Sequence, residues 1–155
     1  TVFTHRVYRA IAGIAHCRAQ TAKQLMQNIF HRPLIGNLTF NPISALTLET
    51  LDTVATDPGT RAVAQAMMLE AQTIGEKLGA RFPVDVEKRM DGAAAVGAHR
   101  TSMLQDLEAG RLMEIDALVT SVQEMGRLVD VPTPTIDVVL ALVQQRARAA
   151  GAYGV

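Results

Sequence analysis

Several absences narrow this sequence before any motif does. Only one cysteine, Cys17, occurs in 155 residues, so no disulfide can form within the chain. Such sparing use of thiols fits a reducing cytosol, and a cytoplasmic location is expected. Neither charge sign dominates: Lys plus Arg and Asp plus Glu number 15 each. Nucleic-acid and membrane-surface partners favour a basic excess, so neither is expected. No apolar run approaches transmembrane length. The opening TVFTHRVYRA lacks the apolar core of a signal peptide, and the missing initiator Met suggests an excised piece. There is no alternating strand pattern, internal repeat or low-complexity linker. No Gly-x-Gly-x-x-Gly turn is present, so the chain is expected to lack a dinucleotide-binding half of its own. A Gly-x-Ser-x-Gly elbow, a P-loop and a zinc spacing are also missing. His5, His16 and His31 cluster early, with Cys17 beside His16, but no pair has metal-ligand spacing.

What is present is helical periodicity. The length suits one domain with a sizeable core, and 48% of the residues are apolar. Val7, Ala10, Ile11, Ile14 and Ala15 follow the helical i, i+3, i+4, i+7, i+8 pattern. Leu25, Met26, Ile29 and Phe30 continue it up to Pro33, which is expected to interrupt any helix. Leu34 to Leu46 resumes the apolar pattern around Asn37 and Asn41. These asparagines are four apart and share a helical face, where they can offer two amides to one ligand. Asn41-Pro42 by itself reads as a helix start, with Asn as cap. Thr47 is expected to cap a short helix, and Asp57-Pro58 to start a longer one ended by Gly79. Val86, Met90, Ala93 and Val96 form the next buried stripe. Ile115, Leu118, Val122 and Met125 form another. Thr133 caps a last helix carrying Ile136, Val139, Leu140 and Val143, followed by a polar tail expected to fray. The expectation is a single all-α, bundle-like domain over 1–155 with six to eight helices.

The stretch TSMLQDLEAGRLMEID, Thr101 to Asp116, organises the rest. Ser102 with Gln105 three residues on has capping-box spacing. Gly110 stops that helix. Glu114 and Asp116 favour the positive end of the next. A hydroxyl at Ser102 and a carboxylate at Glu114 would both serve as ordinary caps, or would face one small polar ligand.

This block, followed by a helix and VPTPTID, resembles the C-terminal domain of the ketopantoate reductase (2-dehydropantoate 2-reductase) family. GNLTFNPISALT, at Gly36 to Thr47, resembles that domain's other signature. The resemblance runs from about Leu34 to about Ala147, and residues 1–33 match poorly. It implies a fold like the 6-phosphogluconate dehydrogenase C-terminal domain. It also implies an oxidoreductase in which a separate N-terminal Rossmann domain holds NADPH while the helical domain closes over the substrate. Such enzymes reduce ketopantoate to pantoate for pantothenate synthesis. The family's substrate-holding asparagines and serine fall on Asn37, Asn41 and Ser102, and its glutamate near the reacting groups on Glu114. No metal is implied.

One position departs from the pattern. The family's general-acid lysine lies four residues before the first asparagine, where this chain has Pro33. Proline carries no proton to give, and Arg32 is too basic to substitute. The chain alone is therefore expected to be inactive. Three readings follow: the substrate half of a ketopantoate reductase, a non-catalytic dimerisation module derived from that family, or a reductase of another 2-keto acid. A homodimer is expected, with the N-terminal helix contributing most.

Overall fold

Residues 32–154 are described by the structure, a computed structural model. The expectations placed on the N-terminal helices and on His5, His16, Cys17 and His31 fall outside them. Within them the chain is helical with no strand, as the sequence predicts. The helices are α1 (Arg32–Thr47), α2 (Leu51–Thr56), α3 (Pro58–Lys77), α4 (Val86–Ala94), α5 (Ser102–Glu108), α6 (Ser121–Leu128) and α7 (Pro134–Ala149). A single π-helical turn, Asp116–Thr120, runs directly into α6.

The centre of the domain is α1. It packs against α3, α5 and α7 and touches the π-helical turn. Ile35, Leu38, Phe40 and Ile43 carry its buried side. Met67, Met68 and Ile74 of α3 meet it, with Met125 of α6 and Ile136 and Val143 of α7 completing the core. Methionines suit such a junction because their unbranched thioethers fill irregular gaps.

Several helix ends follow their sequence signals. Asp57 caps α3: its carboxylate accepts from the backbone N–H of Gly59 at 3.0 Å and of Thr60 at 2.9 Å. The Thr60 bond, then the Gly59 bond, hold that carboxyl below its ordinary pKa against the opposing effect of burial. Gly79 adopts φ 88° just after α3, and Gly110 φ 64° just after α5, in the left-handed region that glycine enters without strain.

Other expectations are corrected. Asn41-Pro42 is not a helix start: α1 runs through it, with Pro42 inside. Burial of both neighbouring turns outweighs the one lost backbone hydrogen bond. Pro33 lies in the first turn of α1 rather than interrupting it, where its missing N–H would have no partner in any case. Thr47 ends α1 and bonds back to the Ile43 carbonyl at 2.9 Å, while Thr50 precedes α2. The cap of α5 is Thr101, whose hydroxyl accepts from Leu104 N–H at 3.3 Å, so Ser102 is the first helical residue. Gln105 reaches back to the Arg100 carbonyl at 2.8 Å.

The C-terminal tail does not fray. Ala152 is buried, and its carbonyl accepts from Met113 N–H at 2.9 Å. The Tyr153 hydroxyl donates to Asp116 at 2.8 Å and accepts from Gln144 at 3.0 Å. Burial first, then the Asp116 bond, raise the Tyr153 pKa.

The start of α7 is capped from a distance. Glu70 of α3 accepts from the backbone N–H groups of Thr135 at 2.8 Å and Ile136 at 3.0 Å. Thr133 turns its own hydroxyl to Asp137 instead. A carboxylate on exposed helix N–H groups satisfies them and complements the helix dipole. Glu70→Ala is accordingly expected to lower stability by about 1 kcal/mol, read as a shift in urea midpoint at unchanged m-value. An unchanged midpoint would contradict this role.

Candidate functional site

One cavity of about 580 Å³ opens between α1 and α4, with Leu51, Met68 and the loop before α5 closing its sides. Two stripes of α1 face it. Asn37 and Asn41 form a polar stripe at i, i+4, and Gly36 and Phe40 form an apolar one beside it. Asn41 is 5% exposed although it carries an amide. Its Nδ2 donates to Ser102 Oγ at 3.2 Å, across 61 residues of sequence. That bond links α1 to the start of α5. It also sets the serine's hydrogen: an oxygen that accepts from Asn41 is left with its own O–H to give to something else. Asn37 and Ser102 are exposed, so both remain open to a ligand.

The opposite wall comes from α4 and the segments around it. Lys88, Arg89, Gly92, Ala93 and Val96 line the cavity there, with Val84, and His99 and Thr101 join from the α5 side. Among the described residues no carboxylate lines the cavity. Arg89 donates to the Val84 carbonyl at 3.2 Å and lies 6.0 Å from the Phe82 ring centre. Lys88 sits 3.8 Å from Asp85 in the first turn of α4. Two cations, two amides and two hydroxyls around a cavity without an acidic side chain make an environment that favours an anion.

The wall is braced from behind. Arg61 of α3 donates to Glu87 and Asp91 of α4, both at 2.9 Å, and to the Ala55 carbonyl of α2 at 2.9 Å. Hydrogen bonds to Asp91 and then Glu87 raise the Arg61 pKa further. One guanidinium thus joins three helices and ties α4 to α2 and α3.

Of the four residues singled out from sequence, Asn37, Asn41 and Ser102 line this cavity. Glu114 does not line it. It is exposed, in the segment between α5 and the π-helical turn, and its carbonyl accepts from Leu118 N–H at 3.2 Å. That segment is tied to the C-terminal tail by the Met113 to Ala152 bond. Sequence reasoning places Ala93 and Val96 in a buried stripe, but Val96 lies just past the end of α4, is exposed and lines the cavity, and the cationic part of this wall is missed. Lys88 and Arg89 carry no motif of their own, and the signal that could have found them is Gly92, a glycine inside a helix. Among the described residues no group of His, Cys, Asp or Glu is arranged to hold a metal, and no helix is long and apolar enough to cross a membrane.

Comparison with known proteins gives a consistent result. Residues 25–147 match the family described as ketopantoate reductase PanE/ApbA C terminal, beginning somewhat before Leu34. The 2-dehydropantoate 2-reductase of Mesorhizobium japonicum is 67% identical over 120 residues, which are 77% of this chain and 37% of that protein. Among solved structures, one described as a candidate ketopantoate reductase from Ralstonia solanacearum superposes with TM-score 0.73 at 44% identity, over 77% of this chain and 36% of that one. A 2-dehydropantoate 2-reductase from Methylococcus capsulatus superposes with TM-score 0.68 at 30% identity, over 76% and 41% of the two chains. This chain therefore spans well under half the length of these relatives.

Proposed function

Because this chain belongs to the ketopantoate reductase PanE/ApbA C-terminal family, we propose that it is the organic-acid half of a two-domain 2-dehydropantoate 2-reductase. The observation that carries this reading is the cavity in which Asn37, Asn41 and Ser102 meet opposite Lys88, with no carboxylate among the described lining residues. A 2-oxo acid has two acceptor groups next to each other, a carboxylate and a carbonyl. The amides of Asn37 and Asn41 and the hydroxyl of Ser102 supply donors for them, and Lys88 offsets the ligand's charge. The Asn41 bond to Ser102 makes Asn41 a positioning residue for the serine as well as a donor.

Reduction adds a hydride to C2 and a proton to its oxygen. NADPH supplies the hydride when bound, and in this reading a Rossmann domain outside the chain holds it. Among the described residues no strand–glycine turn–helix of a dinucleotide site occurs, and in this reading the side chains of this cavity serve to hold the acid. Glu114 acts beside the reacting groups only if closure of the cofactor domain brings its segment to the cavity mouth. Pro33 leaves the family's proton donor missing, which is the observation favouring a second reading: a non-catalytic module of the same family. A reductase of another 2-keto acid shares the site chemistry of the first. In either reading the exposed pair Val138 and Leu142, one turn apart on α7, suits a homodimer contact.

The test places a charge in the cavity. Asn41→Asp keeps shape and can still bond Ser102, but it sets a carboxylate against the ligand's own. Calorimetry with pantoate is expected to show binding to the natural chain and a loss of at least about tenfold in the variant, from like-charge repulsion in a partly buried site. Pantoic amide, which is neutral, is expected to lose less. Equal losses for the acid and the amide, or no binding of pantoate by the natural chain, would overturn the reading.

A further inference from the structure

Among the described residues nothing requires two glycines of the cavity wall to be glycine. Gly36 lies inside α1 and Gly92 inside α4. Neither has a positive φ. A Cβ built on either would meet nothing within 4 Å among the described residues beyond its own chain neighbours and its own helix backbone. Gly126 differs, because close neighbours leave no room for a side chain there. Glycine in a helix interior is destabilising relative to alanine, through backbone entropy. Among the described residues, neither conformation nor packing accounts for these two unfavourable residues. What they share is the cavity, which both line.

Their places within it are informative. Gly36 is one turn before Phe40 on the apolar stripe of α1, directly beside the Asn37 and Asn41 stripe. Gly92 is one turn after Lys88 on α4 and beside Ala93. Each wall thus has a polar or charged residue next to bare backbone. The surrounding surface is apolar: Phe40, Leu51, Met68, Val84, Ala93 and Val96.

We infer that Gly36 and Gly92 are specificity-determining residues, which keep open an apolar slot for the part of the ligand beyond C2. The class of ligand that fits is a 2-oxo or 2-hydroxy acid with a branched or aryl side chain. Its carboxylate end lies toward Asn37, Asn41, Ser102 and Lys88, and its bulk lies over the two glycines. A side chain at either glycine occupies the space the bulk needs and leaves the polar end untouched. This inference rests on the organic-acid reading of the same cavity and adds to it the identity of the size filter.

The experiment titrates the chain with lactate, 2-hydroxyisovalerate and mandelate by calorimetry, for the natural sequence and for Gly92→Leu, Gly36→Ala and Gly92→Ala. The natural chain is expected to bind the two bulky acids more tightly than lactate. In Gly92→Leu the ratio of bulky-acid to lactate affinity is expected to fall by at least about tenfold, in line with the discrimination a misfitting methylene group produces in an apolar pocket. The alanine variants are expected to melt at higher temperature than the natural chain while showing the same fall in smaller measure. They carry the test if the leucine variant does not fold. Unchanged ratios in variants that bind all three acids would overturn the inference and leave the organic-acid reading standing. Failure of the natural chain to bind any of the acids would overturn both. An alanine variant that melts lower would show that the glycines serve the fold, and would overturn the inference by itself.

Discussion

Replacing Pro33 by lysine, with the chain fused behind a Rossmann domain of the kind the family resemblance implies, is expected to raise NADPH-dependent reduction of ketopantoate by about 10²- to 10⁴-fold over the same fusion carrying Pro33. That is the usual contribution of a positioned general acid. The geometry supports the substitution. Pro33 is four residues before Asn37 and eight before Asn41, all within α1. Helical spacing therefore puts a lysine there on the face that carries the two asparagines into the cavity. The start of α1 tolerates either residue, because the first-turn N–H groups lack helical partners. A gain in turnover number with little change in KM would identify a proton donor. A gain confined to KM would identify a charge that only binds the acid. Equal turnover with proline and lysine would mean that the proton comes from elsewhere in the site.

Gly126→Ala is expected to destabilise the domain, although glycine inside α6 is a poor helix former. Two effects oppose each other. Alanine gains about 1 kcal/mol in helix propensity. Its Cβ would lie 2.9 Å from Thr133 Cγ2, 3.0 Å from the Val131 carbonyl oxygen and 3.1 Å from Ile74 Cδ1. The Ile74 and Thr133 side chains are buried, and the Val131 oxygen is backbone in a turn held by Val131 N–H to the Gly126 carbonyl at 2.9 Å. Over-packing a fixed site costs about 1–3 kcal/mol, more where backbone must shift. Because one of the clashing atoms is backbone, the cost falls above the low end of that range and outweighs the propensity gain, and a net loss of up to about 2 kcal/mol is expected in chemical unfolding. Gly92→Ala, with open space around it, is expected to change stability in the opposite direction. If both alanines shifted stability alike, the packing account of the two glycines would be wrong.

Much of the fold is legible in the sequence because its signals are local. Asp57-Pro58 and Gly79 bound α3 as their cap and left-handed conformations require. The apolar stripe of α7 is buried residue for residue. The misreadings arise where a local signal competes with tertiary packing. Asn41-Pro42 has every local mark of a helix start, but α1 is packed on several sides and continues through it. At Thr101-Ser102 two adjacent hydroxyl residues can both cap, and only the buried position of Thr101 decides between them. The Glu70 cap of α7 and the Arg61 clamp on α4 join residues far apart in sequence, which no local pattern reveals.

The site divides in the same way. Asn37 and Asn41 are legible as a pair because helical spacing puts them on one face. Ser102 joins them through a contact 61 residues long, and the resemblance to a known family, rather than spacing, points to it. The cationic part of the α4 wall is hidden in the sequence because its lysine and arginine carry no motif of their own. Lys88 is largely exposed and still lines the cavity.

Asn37, Asn41 and Ser102 are expected to hold one small organic acid against the α4 wall, and on this the rest depends. The most direct measurement is a titration of the isotopically labelled chain with pantoate, followed by nuclear magnetic resonance. The side-chain amide signals of Asn37 and Asn41 and the backbone signals of Gly36, Gly92 and Ser102 are expected to shift together along one saturating curve, with those of α7 unmoved. Saturating shifts elsewhere, with both asparagine amides unmoved, would contradict the claim.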